Sequence, residues 1–170
     1  AKIGNIAPTT DEISGLYDQG RNPDLIWRGV FLRTALFVFN AEPQLSLSEA
    51  MTALEEDPSL YSINLSRLDD VLARDRQSLL IVFDALDRLG QDWGSIRALT
   101  RALLGLAVGL QSFSSIRAKI FMRVDQFSDH ELFRFPDSSK IHNDHVNLIW
   151  RPNELYGLLL FEILRDEHGG

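Results

Sequence analysis

The sequence predicts an α/β domain, a three-layer sandwich built on a mainly parallel sheet. Three observations lead there. Leu79-Leu80-Ile81-Val82-Phe83 is an unbroken apolar run that stops on a carboxylate, Asp84. A run of this kind, bounded by polar segments, is the pattern of a strand buried on both faces, which is normally parallel and central. Two further apolar runs follow, Ala118–Met122 and Val146–Trp150. Segments of helical periodicity separate the runs from Leu65 onward, and strands that alternate with helices form parallel βαβ units. No internal repeat or low-complexity linker interrupts the chain, so residues 1-170 read as a single α/β domain.

The elements follow in order. Ile3 and Ile6 lie in a weakly apolar opening segment that suits a short strand. Pro8-Thr9-Thr10-Asp11-Glu12 carries helix-start chemistry, because Thr and Asp cap orphan N–H groups and acids suit the positive helix end. Asp24, after the break at Gly20–Pro23, is the expected N-cap of a helix from Leu25 to Asn40. Its Ile26, Trp27, Val30 and Phe31 point to burial on more than one side. Ser46-Leu47-Ser48-Glu49 opens a short amphipathic helix ending near Asp57-Pro58. Ser62–Leu65 opens another, with Leu65, Leu68, Val71 and Leu72 at helical spacing as far as Asp75.

After the Leu79–Phe83 strand, Asp92-Trp93-Gly94 starts a long helix reaching Gln111. Ile116–Arg123 is the second strand, with Ala118–Met122 as its apolar body. Asp129–Phe135 is a short helix or turn stopped by Pro136, and Asp137–Asp144 is a polar loop. His145–Trp150 is the third strand. Arg151-Pro152-Asn153-Glu154 opens the last helix, since Pro is tolerated in a first turn.

Composition narrows the function. The chain is 45% hydrophobic and 24% charged, ordinary for a globular domain long enough to hold a core. Its net charge of −7 argues against nucleic acid as a partner, because phosphate-backbone binding needs Lys and Arg. Without cysteine it has no disulfide and no thiolate metal site, which is compatible with a cytoplasmic location. No apolar run reaches the roughly 18 residues of a membrane span, so no membrane partner is expected. His142-x-x-His145, with Asp144 between, is a loop pair of a kind that can bind metal, but no further ligand pattern joins it. Trp27, Trp93 and Trp150 are spread as packing residues are.

Chemistry concentrates at the ends of the strands. Ligands bind outside the carboxyl ends of strands in open α/β sheets. Asp84 stands at the end of the first strand and Asp87 just beyond it. A carboxylate at the first position can hold Mg²⁺, and the second can poise water or organise the metal's outer shell. Arg123 ends the second strand, where a cation can sense a terminal phosphate. The same residues also fit a plainer arrangement, with Asp84 capping the next turn, Asp87 paired with Arg88, and Arg123 bridged to Asp84, Asp87 or Asp125.

In order and spacing, "LLIVFDALDRL", a long amphipathic helix, "AKIFMRVDQF" and "VNLIWRPNELYGLLLFEIL" resemble the STAND, KAP and NACHT-type group of P-loop NTPases. The resemblance covers about residues 65 to 165 and is closest to bacterial ATPases whose sensor strand ends in Arg followed by Asp. It implies that Leu79–Phe83 is a Walker B strand, with Asp84 as the Mg²⁺ and cofactor-binding residue. It implies that Asp87 and Arg123 are catalytic, the first toward water and the second as sensor. ATP and Mg²⁺ are the implied cofactors, in the parent protein. Residues 151-170 would begin a helix leading to a lid. Self-association or an effector domain in the same polypeptide would read out the nucleotide state.

One departure is large. The Walker A loop G-x-x-x-x-G-K-[ST] is absent from the sequence, and none of Lys2, Lys119 and Lys140 follows a Gly. That loop supplies the N–H cradle and the Lys for the phosphates. The expectation is a piece of a larger P-loop NTPase that is inactive as the isolated chain, with ATPase activity in the parent. In the resembling fold the missing strand lies between the sensor strand and the His145–Trp150 strand, so its loss leaves backbone groups unpaired or the sheet remodelled. The alternative is a non-catalytic α/β interaction domain that has lost nucleotide binding.

Overall fold

Local helix-start chemistry sets the first half of the chain. The computed structural model describes residues 6–39, 45–148 and 151–167. Helix α1, Thr10–Asp18, is capped by Thr9, whose hydroxyl accepts the Glu12 N–H at 3.1 Å. Helix α2, Pro23–Val38, starts two residues earlier than an N-cap at Asp24 predicts. Asn22 is its N-cap, accepting the Asp24 N–H at 2.9 Å, and Pro23 occupies the first turn where no N–H is needed. Helix α3, Leu47–Glu56, opens on a reciprocal box in which Ser46 and Glu49 bond each other's backbone N–H. Helix α4, Ser59–Arg74, begins three residues before the expected Ser62, because the Asp57 carboxylate takes the Ser59 N–H at 3.0 Å. Of the short strand expected at Ile3 and Ile6, Ile3 lies outside the described residues and Ile6 is in a turn.

Strand β1 is Leu79–Phe83 and strand β2 is Ile116–Ile120. They pair in parallel, from Leu79 opposite Ile116 to Phe83 opposite Ile120. Helix α5, Trp93–Gly109, links them and continues into a 3-10 turn at Leu110–Ser112. Beyond β2 come a single helical turn, α6, Val124–Phe127, then a 3-10 turn at His130–Phe133, then α7, Ser139–Asp144, and α8, Pro152–Glu167.

The three-layer sandwich is not what forms. The sheet has two strands among the described residues, and helices dominate the chain. The third predicted strand fails directly: His145–Leu148 is irregular, with Val146 80% and Leu148 73% exposed, while Ile149 and Trp150 lie outside the described residues. The Asp137–Asp144 segment read as loop contains α7. Nor is β1 buried on both faces. Leu79, Ile81 and Phe83 turn toward the core with Ile116, Ala118 and Ile120 of β2. Leu80 and Val82 remain about half exposed, beside exposed Arg117 and Lys119 in the same register. A strand is buried twice only if a second layer covers it, and here one helical layer does the covering.

That layer is organised by α2. Gly29 lets α3 approach closely, since a Cβ there would sit 3.0 Å from Leu47 Cδ1 and 3.1 Å from Met51 Cγ. The buried Trp27 donates its indole N–H to the Leu99 carbonyl at 2.8 Å, tying α2 to α5. Phe83 is held edge-on by Trp27 and Phe31, with ring centroids 5.6 and 5.7 Å away. Edge-on aromatic pairs add about 0.5–1.5 kcal/mol beyond the area they bury. The last residue of β1 is therefore firmly anchored, one position before Asp84.

Candidate functional site

The chain leaves β1 through a sharp turn. Ala85 adopts a left-handed conformation, φ 56° and ψ 37°, which costs a residue with a Cβ roughly 1–2 kcal/mol. Its N–H is taken by Asp84 Oδ1 at 2.7 Å. A 3-10 turn, Leu86–Arg88, follows, with Leu86 buried and Leu89 buried just after it. These two leucines pin the turn from below and leave Asp84 and Asp87 at its surface. Gly90 closes the turn against α5. A Cβ there would lie 2.6 Å from Ser95 Cβ, so glycine is required for this approach.

The end of β2 meets the same place. Arg123 follows β2 by three residues and directly precedes α6. Its Nη1 is 3.7 Å from Asp87 Oδ2, and its Nε donates to Asp125 Oδ1 at 3.1 Å. The Asp125 hydrogen bond, with the charges of Asp125 and Asp87, holds the guanidinium pKa above its ordinary value. The same bond to Arg123 holds the Asp125 carboxyl below its own. Asp84, Asp87 and Arg123 thus line one cavity of about 150 Å³ at the carboxyl ends of the two strands. The plainer pairing of Arg123 with Asp87 and Asp125 also exists in the structure, at the surface, where Arg123 is 64% exposed.

Two residues that support the site carry little signal in the sequence. Asp129 receives the Arg97 Nε at 2.8 Å, the Trp93 indole N–H at 3.1 Å and the Glu131 N–H at 3.0 Å. Burial pushes its pKa up, but these bonds outweigh burial and hold it below the ordinary carboxylate range. Asp129 so ties the segment after β2 to the first turns of α5. Leu104, Leu132 and Phe133 form a small apolar cluster that clamps the same segment. The other residue is Gln126, the third residue of α6, 1% exposed, on the wall of the 150 Å³ cavity. Its place three residues after Arg123 was readable, but its burial was not.

The remaining sequence candidates fall elsewhere. His142 and His145 are exposed and lie against the rings of Phe127 and Phe133. Among the described residues no group of three His, Cys, Asp or Glu side chains is placed to hold a metal ion. A Mg²⁺ bound here would have at most Asp84 and Asp87 from the chain. That donor set fits the ion, which keeps several waters and takes one or two carboxylates plus phosphate oxygens. The described residues offer no glycine-rich cradle for the rest of a nucleotide. No described helix is long and apolar enough to cross a membrane. No protein-family model, curated protein or solved structure matches the chain.

Proposed function

We propose that this chain is the Walker B and sensor part of an ATP-binding P-loop NTPase module, serving as a nucleotide-dependent switch or in ATP hydrolysis within a longer protein. One observation carries the reading: two carboxylates and a guanidinium meet at the carboxyl ends of two adjacent parallel strands. Asp84 would hold Mg²⁺, which when bound neutralises charge on the phosphates. Asp87 would orient water, and Arg123 would exchange its surface carboxylates for a terminal phosphate. Among the described residues no strand pairs with the outer edge of β2, which supports the reading further, because an open edge can accept a strand from another segment.

The test is an ATPase assay with a parallel nucleotide-binding titration on a longer protein that carries a G-x-x-x-x-G-K-[ST] loop ahead of this chain. Asp84→Ala abolishes turnover there, and Asp87→Ala lowers it while nucleotide binding stays near wild type. The 170-residue chain alone turns over no ATP. Full activity of the Asp84→Ala protein, or robust Mg²⁺-dependent turnover by the chain alone, would overturn the proposal. The alternative, a non-catalytic interaction domain, is favoured by α8, where Leu155, Tyr156, Leu158, Leu160 and Phe161 are all about half exposed or more. Apolar surface of this extent belongs to contacts with other protein.

A further inference from the structure

The outer face of the β1–β2 pair and helix α8 are both left uncovered, and their surfaces match. Side chains alternate along a strand, so Leu80 and Val82 share one face with Arg117 and Lys119, their partners in register. The Phe121 N–H donates to the Phe83 carbonyl at 2.8 Å, which extends the pairing and adds Phe121 to that face. Leu80 is 50%, Val82 53% and Phe121 43% exposed. Among the described residues neither Arg117 nor Lys119 meets a carboxylate at ion-pair distance, in a chain of net charge −7. The face is an apolar stripe beside two cations without counter-charge.

Helix α8 carries the complement. Among the described residues no other element packs extensively along it. Leu155, Tyr156, Leu158, Leu160 and Phe161 are 47% to 68% exposed. At about 3.6 residues per turn, Leu155 and Leu158 fall on one side and Tyr156 and Leu160 on another. A helix apolar on more than one side belongs inside an assembly. Over Pro152–Glu167 its sequence holds four acids, Glu154, Glu162, Asp166 and Glu167, against one base, Arg165.

We propose that the outer face of the β1–β2 pair is the docking surface for α8 of a second copy of this chain, exchanged reciprocally in a two-fold dimer. The proposal is independent of the nucleotide reading. The dimensions agree. The 16 residues of α8 run about 24 Å, and the five residues of each strand about 17 Å. One helix, about 10 Å across, covers two strands about 5 Å apart. Charge selects the pairing, because an acidic apolar helix meets a cationic apolar face. The occupant is a second copy because one chain leaves both surfaces open at once. Two copies close both with each fold as it stands, whereas docking within one chain requires the connection from α7 to α8 to be redrawn. Reciprocal exchange also closes the assembly, since each copy gives and receives the same contact.

The experiment follows the 170-residue chain by sedimentation equilibrium over a concentration series. Wild type is a dimer that dissociates on dilution. Val82→Lys in the sheet face and Leu158→Lys in α8 each give a monomer, and circular dichroism with urea unfolding checks that both fold. Lys119→Glu weakens the dimer about fivefold, the scale of one surface ion pair. The chain has no cysteine, so single introduced thiols locate the contact. A short bismaleimide joins a Val82→Cys chain to a Leu158→Cys chain, but does not join Val82→Cys to a chain carrying Ser48→Cys on α3. The proposal is overturned if wild type is monomeric, if Val82→Lys or Lys119→Glu dimerises as tightly as wild type, or if Leu158→Cys crosslinks only to itself, which would pair α8 with α8. It is also overturned if the chain carrying both Val82→Cys and Leu158→Cys crosslinks within itself at concentrations where wild type is dissociated, which would give the face to the chain's own helix.

Discussion

The two ends of the β1–β2 pair are built in opposite ways. At the N-terminal end, Asp69 of α4 reaches over the start of β2. It accepts the Ser115 N–H at 2.6 Å, the Ser114 N–H at 3.0 Å and the Ser114 hydroxyl at 3.1 Å. Leu79 N–H donates to the Ser115 carbonyl at 2.8 Å, and Ile116 beside it is fully buried. At the C-terminal end, among the described residues, Asp84 accepts only its neighbour's N–H, Arg123 is shared between surface acids, Ala85 is left-handed and the Gln126 amide nitrogen has no partner. One carboxylate closes a structure, and the others leave one open. The lesson is that acids at strand ends are told apart by what already bonds them.

Replacing the closing carboxylate has the largest effect. Asp69→Ala strands the Ser114 and Ser115 donors and lowers the unfolding free energy by about 2 kcal/mol, a value kept modest because the side chain is only partly buried. Burial raises the Asp69 pKa, but the bonds from Ser114, Ser115 and Ile116 outweigh it and lower the folded-state value. Its contribution is therefore complete above the unfolded pKa and is lost as pH falls through the folded one. Urea unfolding at neutral pH and at pH 3 checks both parts, because the gap between wild type and variant must narrow in acid. A variant as stable as wild type at neutral pH would erase the contrast between the two ends.

The brace behind the open end comes next. Asp129→Ala frees Arg97 and Trp93, costs about 1.5 kcal/mol and changes the Trp93 fluorescence. Unchanged emission would detach Asp129 from the architecture of the site. Smaller again is Ala85→Gly, which relieves the left-handed strain and raises stability by at most about 1 kcal/mol. Thermal unfolding measures it, and a loss of stability would show that the turn is not strained. Smallest is Asp84→Ala in the isolated chain, which stays within about 0.5 kcal/mol of wild type, as expected for an exposed group outside the folding contacts. A large loss there would make Asp84 a structural acid like Asp69.

Much of the local structure was legible. The β1 run, the α5 start at Asp92, the α3 cap at Ser46 and the parallel direction of β1 and β2 all follow from patterns of nearest neighbours. The meeting of Asp84, Asp87 and Arg123 follows from the same parallel register, which sets neighbouring strand ends about 5 Å apart. Asp69 and Asp129 were not legible. Each acts on residues 32 to 46 positions away, and an acid in a helix or turn reads the same whether or not such donors arrive.

By itself the sequence determined α1 to α5 and α8, the two paired strands and the acids and cation near their ends, because periodicity, caps and apolar runs act over a few residues. Only the tertiary structure decided how many layers cover the sheet. Leu80 and Val82 are as apolar as Leu79 and Ile81, and Val146 and Leu148 as apolar as the β2 residues, yet the first pair faces solvent and the second forms no strand. An apolar side chain states a preference for burial, but burial needs a partner surface, and ladder hydrogen bonds need a neighbouring strand. Both are supplied from far along the chain or from outside it.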